Sequence, residues 1–274
     1  MTFFRNSGRA AFLLFVVLLA GGVHASDTSD STDALLKQLE ELNQRIGSNA
    51  DWLSEAAERS QQIADGQNPE ILPDEELIQS PLPMIEAPPG SDPVLVMTAR
   101  LTAYANRNIE IANRYQRDLT ALSIHTLLHP SSYVTEEALA SMPKRMAMLD
   151  RAYRRMVRDA RESTRAFAAQ MRSGDLPRDA IAGFNASFND GRQMEEQIAM
   201  EGRVMIQMAT MVAFLIEARP NTDGDLFLFE RDEDVVTFNQ HFASLNELVE
   251  EQTAMMRAQQ EKISDAAETI KSVQ

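Results

Sequence analysis

The run Val204–Ile216, VMIQMATMVAFLI, sets only Gln207 and Thr210 among eleven apolar side chains. At 100° per residue, Met205, Ala209, Val212 and Ile216 share one side of a helix, and Met211 and Phe214 point the other way. A helix that is apolar around its circumference is stable when buried on all sides. The run is too short for an ordinary membrane span, which takes about 20 residues. It therefore predicts a central helix surrounded by other helices, which the rest of the chain must supply.

The N-terminus reads as an export signal. Arg5 and Arg9 precede the uncharged, mostly apolar Ala10–Val23, and Val23-His24-Ala25 offers small residues for cleavage before Ser26. Residues 1–25 are read as a signal peptide, with an uncleaved anchor as the alternative. No second segment is expected to span a membrane, so the mature chain is expected in the periplasm or secreted. Without residues 1–25, 24 bases face 41 acids, a net charge of −17. Such acidity argues against nucleic-acid binding. The absence of cysteine excludes thiol catalysis, thiolate zinc sites and covalent c-type haem.

Helical periodicity organises the rest. After a polar start, Leu35, Leu39, Leu42, Ile46, Leu53, Ala56 and Ile63 form a narrow, coiled-coil-like seam. This acidic stretch, residues 26–66 with its polar start, needs a partner: a second copy or the main body. Residues 67–92 are rich in proline and predict an extended linker, or a loop wrapped over the body.

The main body, 93–274, carries four long seams. Asp92-Pro93 opens the first, through Met97, Leu101, Tyr104, Ile111, Tyr115 and Leu122 to about Leu128. Thr135 caps the second, through Leu139, Met142, Leu149, Tyr153, Met156 and Phe167, with a kink or break expected at Pro143. The third runs from Pro177 to Arg219, with Gly191 and Gly202 allowing close approach. The fourth runs from Asp232 through Phe238, Leu245, Val249, Met256 and Ile263. The expected fold is all-α: an antiparallel up-down-up-down bundle of four long helices, preceded by a separate amphipathic helix and the Pro-rich linker. Leu226–Phe229 is expected to plug one end.

Chemistry-bearing motifs are weak. His125 and His129 are spaced for one helix face, but helix capping accounts for them. Met205, Met208 and Met211 have a spacing that suits copper, yet methionine also fills irregular cores. The acids from Asp223 to Asp234 lack the spacing of a calcium loop. The sequence thus predicts no catalytic residue, no metal and no cofactor.

Charge placement is more informative. Between Lys144 and Arg172 lie nine bases and three acids. Arg151, Arg154, Arg155, Arg158, Arg161 and Arg165 fall within an arc of roughly 120° opposite the core seam. A solvated face is one reading. The other is a partner- or anion-binding surface, since arginine suits bidentate contact with carboxylates. The functional expectation is an exported, non-enzymatic bundle acting through protein–protein or anionic-surface contacts, as an adaptor, assembly component or sensor-like module. The alternative is a binding module for a small apolar or anionic ligand in the methionine-rich core.

Overall fold

The computed structural model describes residues 79–173, 192–224 and 226–273, with parts of 33–58 and 176–185. The signal peptide expected at 1–25, the linker's 67–78 portion, Gly191, Asp225 and the His125 side chain lie outside the described residues. The fold is all-α apart from one short hairpin.

Helix α1 is Pro93–Ala121. The Asp92 carboxylate accepts from the Val94 amide at 2.7 Å, and Pro93 occupies the first turn, where a missing N–H costs nothing. Its buried face carries Met97, Leu101, Tyr104, Asn108, Ile111 and Tyr115. The helix stops at Ala121 rather than near Leu128. Ser123 adopts a left-handed φ of 49°, and two 3-10 turns follow, Ile124–Thr126 and Pro130–Tyr133. The stop has a donor from outside the helix. Arg145 donates to the carbonyls of Leu122 at 3.0 Å and Ser123 at 2.7 Å, and to the Thr126 hydroxyl at 2.7 Å.

Helix α2 is Glu136–Met171. The Thr135 hydroxyl accepts from the Ala138 amide at 3.1 Å. The helix runs through Pro143 unbroken. Met142 and Leu149 are fully buried on either side of it, so packing outweighs the one backbone bond a proline removes.

Helix α3 is Arg192–Ala218. It is not buried all round. Val204, Met208, Met211, Val212 and Leu215 are buried, but Ile206 is 69% exposed, and Ala209, Thr210 and Ala213 also face outward. One side of the apolar run is thus covered and the other open. Contrary to the sequence expectation, Met194–Ala218 is long and apolar enough to cross a membrane by length and composition. In this structure its inner face joins the common core. Close approach at Gly202 is as expected: a Cβ there would lie 2.8 Å from the Tyr153 hydroxyl of α2.

Strands β1 (Asn221–Asp223) and β2 (Leu226–Leu228) form an antiparallel hairpin, with Asn221 opposite Leu228 and Asp223 opposite Leu226. Gly224 takes the positive φ of 57° that its turn requires. Phe227 packs inward against Tyr133, Phe229 and Phe238, at ring separations of 5.4, 6.2 and 5.5 Å. Helix α4 is Asp232–Val273, with Leu245, Val249, Met256 and Ile263 buried.

The chain before α1 is packed on this body. Leu36, Leu39, Ile46 and Ala50 are buried in the same core. A Cβ at Gly47 would fall 2.6 Å from the Gln260 amide nitrogen of α4. The described part of the Pro-rich segment lies along α1. Asn113 exchanges two hydrogen bonds with the backbone of Gln79, both 2.8 Å, and Asn106 does the same with Leu82 at 2.6 and 3.0 Å. The spacings match: seven helical residues rise about 10.5 Å, and three extended residues span about 10 Å.

Candidate functional site: an exposed arginine face and a buried carboxyl

Arg151, Arg154, Arg155, Arg158, Arg161 and Arg165 are all exposed on α2, while Ala152, Met156, Ala160, Ser163 and Phe167 of the same helix are buried. The periodic pattern fixes this: arginines take the slots between seam residues, so packing the seam turns them outward. Acids from the neighbouring helices reach in. Arg161 makes a two-pronged bond to Glu195 of α3 at 2.8 and 2.6 Å. Arg155 lies 3.5 Å from Asp118 of α1. Arg154 bonds Asp150 at 2.7 Å, and Arg158 bonds Asp159 at 3.0 Å. The bond to Arg161 holds the Glu195 carboxyl below its usual range. Arg151 and Arg165 make no ion pair or hydrogen bond among the described residues. The sequence showed the arc but not Asp118 and Glu195, which come from other helices.

The acidic N-terminal stretch does not lie on this face in its described part. Gly47 packs against Gln260, and Ser54 and Glu58 border a hollow of about 680 Å³ with Thr253 and Arg257 of α4. Arg45 donates to the Ser80 carbonyl at 2.6 Å.

A second constellation escaped the sequence reading. Glu201 of α3 is fully buried. It occupies a seam slot, three residues after Ile198 and four before Met205, which was the legible signal. The Tyr115 hydroxyl donates to its Oε1 at 3.1 Å. Its Oε2 has no hydrogen-bond partner among the described residues, and neither does Gln197 Oε1 one turn earlier. Tyr153 donates to the Ile198 carbonyl at 2.8 Å, beside Gly202. Burial raises the Glu201 acid to about 7, and the bond from Tyr115 opposes that rise. Burial, then the charge of Glu201, push the Tyr115 hydroxyl well above its ordinary value. The crevice beside Tyr115, between Ile111, Arg114 and Met156, is too narrow for a water molecule. This arrangement can hold or release one proton inside the protein.

The remaining motifs have structural places. His129 Nδ1 accepts from the Ser131 amide at 3.2 Å and so caps a 3-10 turn at its start, not a helix at its end. Met142, Met156, Met171, Met194, Met208, Met211 and Met256 are buried in the core, and Met205 packs half-buried against it. Asp234 is bound by Arg231 at 2.6 and 2.7 Å. Among the described residues no group of three or more His, Asp or Glu side chains is placed to hold a metal ion.

No family model matches the chain, and no curated protein or solved structure matches it either.

Proposed function

We propose that the chain is an exported, non-enzymatic bundle of four antiparallel helices that acts by interaction, with the arginine face of α2 contacting an acidic protein partner. Packing of each helix on the next in sequence supports the up-down-up-down arrangement. Arg151 and Arg165 carry the functional reading. They are exposed and have no ion-pair partner among the described residues, although Arg165 lies near enough to Glu195 to help hold its carboxyl down, and they stand 14 positions apart on one face of a helix in a strongly acidic protein. That separation is about 21 Å, the length of a short partner helix or strand. The four arginines between them are paired at the surface, where such pairs are worth about 0–1 kcal/mol, so a partner's carboxylates can compete for them. The described part of the in-chain acidic stretch sits against α4 instead, which supports an occupant from another protein.

Arg151→Glu with Arg165→Glu tests this without breaking an intrachain ion pair. A photo-crosslinker at the exposed Ala169, on the same face, is expected to capture a discrete partner in cells. The double variant should keep its melting temperature and lose that adduct. An unchanged adduct would reduce the face to a solvated surface. Export is checked separately by whether the N-terminus of the extracytoplasmic protein begins at Ser26.

A further inference from the structure

Eight large apolar side chains are strongly exposed among the described residues, and five of them belong to the hairpin end: Val134, Leu226, Leu228, Val235 and Val236. The hairpin cannot turn these leucines inward. Alternation along β2 points Phe227 into the protein, where Tyr133, Phe229 and Phe238 hold it, so Leu226 and Leu228 must face out. Val134 follows Tyr133 directly, and Val235 and Val236 lie near the start of α4, three and two residues before Phe238. The same aromatic cluster therefore anchors all three pieces.

The exposed charges around them are predominantly acidic. Glu136, Glu137, Asp223, Glu230, Asp232 and Glu233 are exposed. The two bases at this end are already engaged: Arg219 with Glu136 at 3.3 Å, and Arg231 with Asp234 at 2.6 Å. Glu137, Asp223, Glu230 and Asp232 have no ion-pair partner among the described residues. This rim selects the occupant. A second copy joined by a two-fold axis would set the acidic rim against itself. An anionic lipid surface would be repelled. We propose that the hairpin end binds a cationic amphipathic segment of a partner protein, whose apolar side chains cover Leu226 and Leu228 and whose lysines or arginines meet the rim.

The test uses the full mature chain and a fluorescent, short amphipathic peptide of leucine and lysine. A peptide of the same composition with its apolar stripe scrambled serves as control. The amphipathic peptide should bind more tightly than the scrambled one. Binding should weaken as salt rises from about 0.05 to 0.5 M. Leu226→Ser with Leu228→Ser should weaken it by roughly tenfold or more, since two apolar contacts are lost. Glu137→Gln with Glu230→Gln should reduce the salt dependence. Both variants change exposed side chains, and an unchanged melting curve verifies the fold. Equal binding of the two peptides, or full binding by the leucine variant, would overturn the proposal and leave only attraction to a generally acidic surface. Leucine-dependent binding to anionic vesicles would overturn it in favour of lipid.

Discussion

The Tyr115 hydroxyl of α1 donates to the Glu201 carboxyl of α3 at 3.1 Å, wholly inside the protein. Burial pushes this carboxyl toward its neutral form and the bond opposes that push, and two properties of the molecule turn on the balance.

The first is pH dependence. Burial lifts the Glu201 acid from the ordinary 4.5 to about 7. Between those values the folded chain keeps a proton that the unfolded chain has released. Stability should therefore fall as pH rises through this window, by on the order of 3 kcal/mol once it is passed. Glu201→Gln should remove this part of the slope, and above neutrality it should be the more stable protein. Urea midpoints at about pH 5 and about pH 8.5 check it. Parallel profiles for the two proteins would show that Glu201 is not the titrating group.

The second concerns the tyrosine. Its hydrogen bond favours the ionised carboxyl, so Tyr115→Phe should move the titration still higher. The variant should also lose about 1–3 kcal/mol, the usual cost of leaving a buried acceptor unmatched. Infrared spectroscopy of the protonated carboxyl stretch, assigned by its loss in Glu201→Gln, reads the midpoint directly. A midpoint lowered by Tyr115→Phe would contradict the geometry.

Helix α3 has two unequal sides. Met208→Asp or Val212→Asp places a charge at a site 2% or 1% exposed and should cost several kcal/mol, about 3 or more. Ile206→Asp, on the open side, should shift stability by about 0.5 kcal/mol or less. Thermal unfolding followed by circular dichroism separates them. Similar melting points for Met208→Asp and Ile206→Asp would mean that α3 is not seated as described.

These contrasts show where the sequence was legible. Asp92 and Thr135 mark helix starts by local chemistry, and local chemistry is what a sequence displays. The arginine arc was visible because it lies on one helix. Its counter-charges on other helices were not, since Asp118 and Glu195 reach it only after three helices have packed. The early end of α1 was hidden for the same reason: Arg145 lies 23 residues beyond Leu122. Glu201 was visible but passed over. A lone acid in a seam of Met, Ile and Val is more informative than the apolar run that follows it.

Asn106 and Asn113 should act together. Replacing both with alanine removes four hydrogen bonds to the backbone of residues 79–82. The amides of Gln79 and Leu82 should then exchange faster by roughly tenfold or more, as a strap released from its helix would. Hydrogen exchange with mass spectrometry measures this. Unchanged protection would assign the docking to Leu82 alone, which is 2% exposed.

Arg145 ties the end of α1 to a residue of α2, and this has a kinetic consequence. The Leu122 and Ser123 carbonyls get this donor only when α2 has formed and come back alongside. Local 3-10 bonds such as Thr126 N–H to the Ser123 carbonyl shape the reversal between the helices, and the later helix completes it. The corner should therefore reach its full complement of bonds together with the two helices. A chain emerging from synthesis would hold α1 frayed at its end until some two dozen further residues had followed.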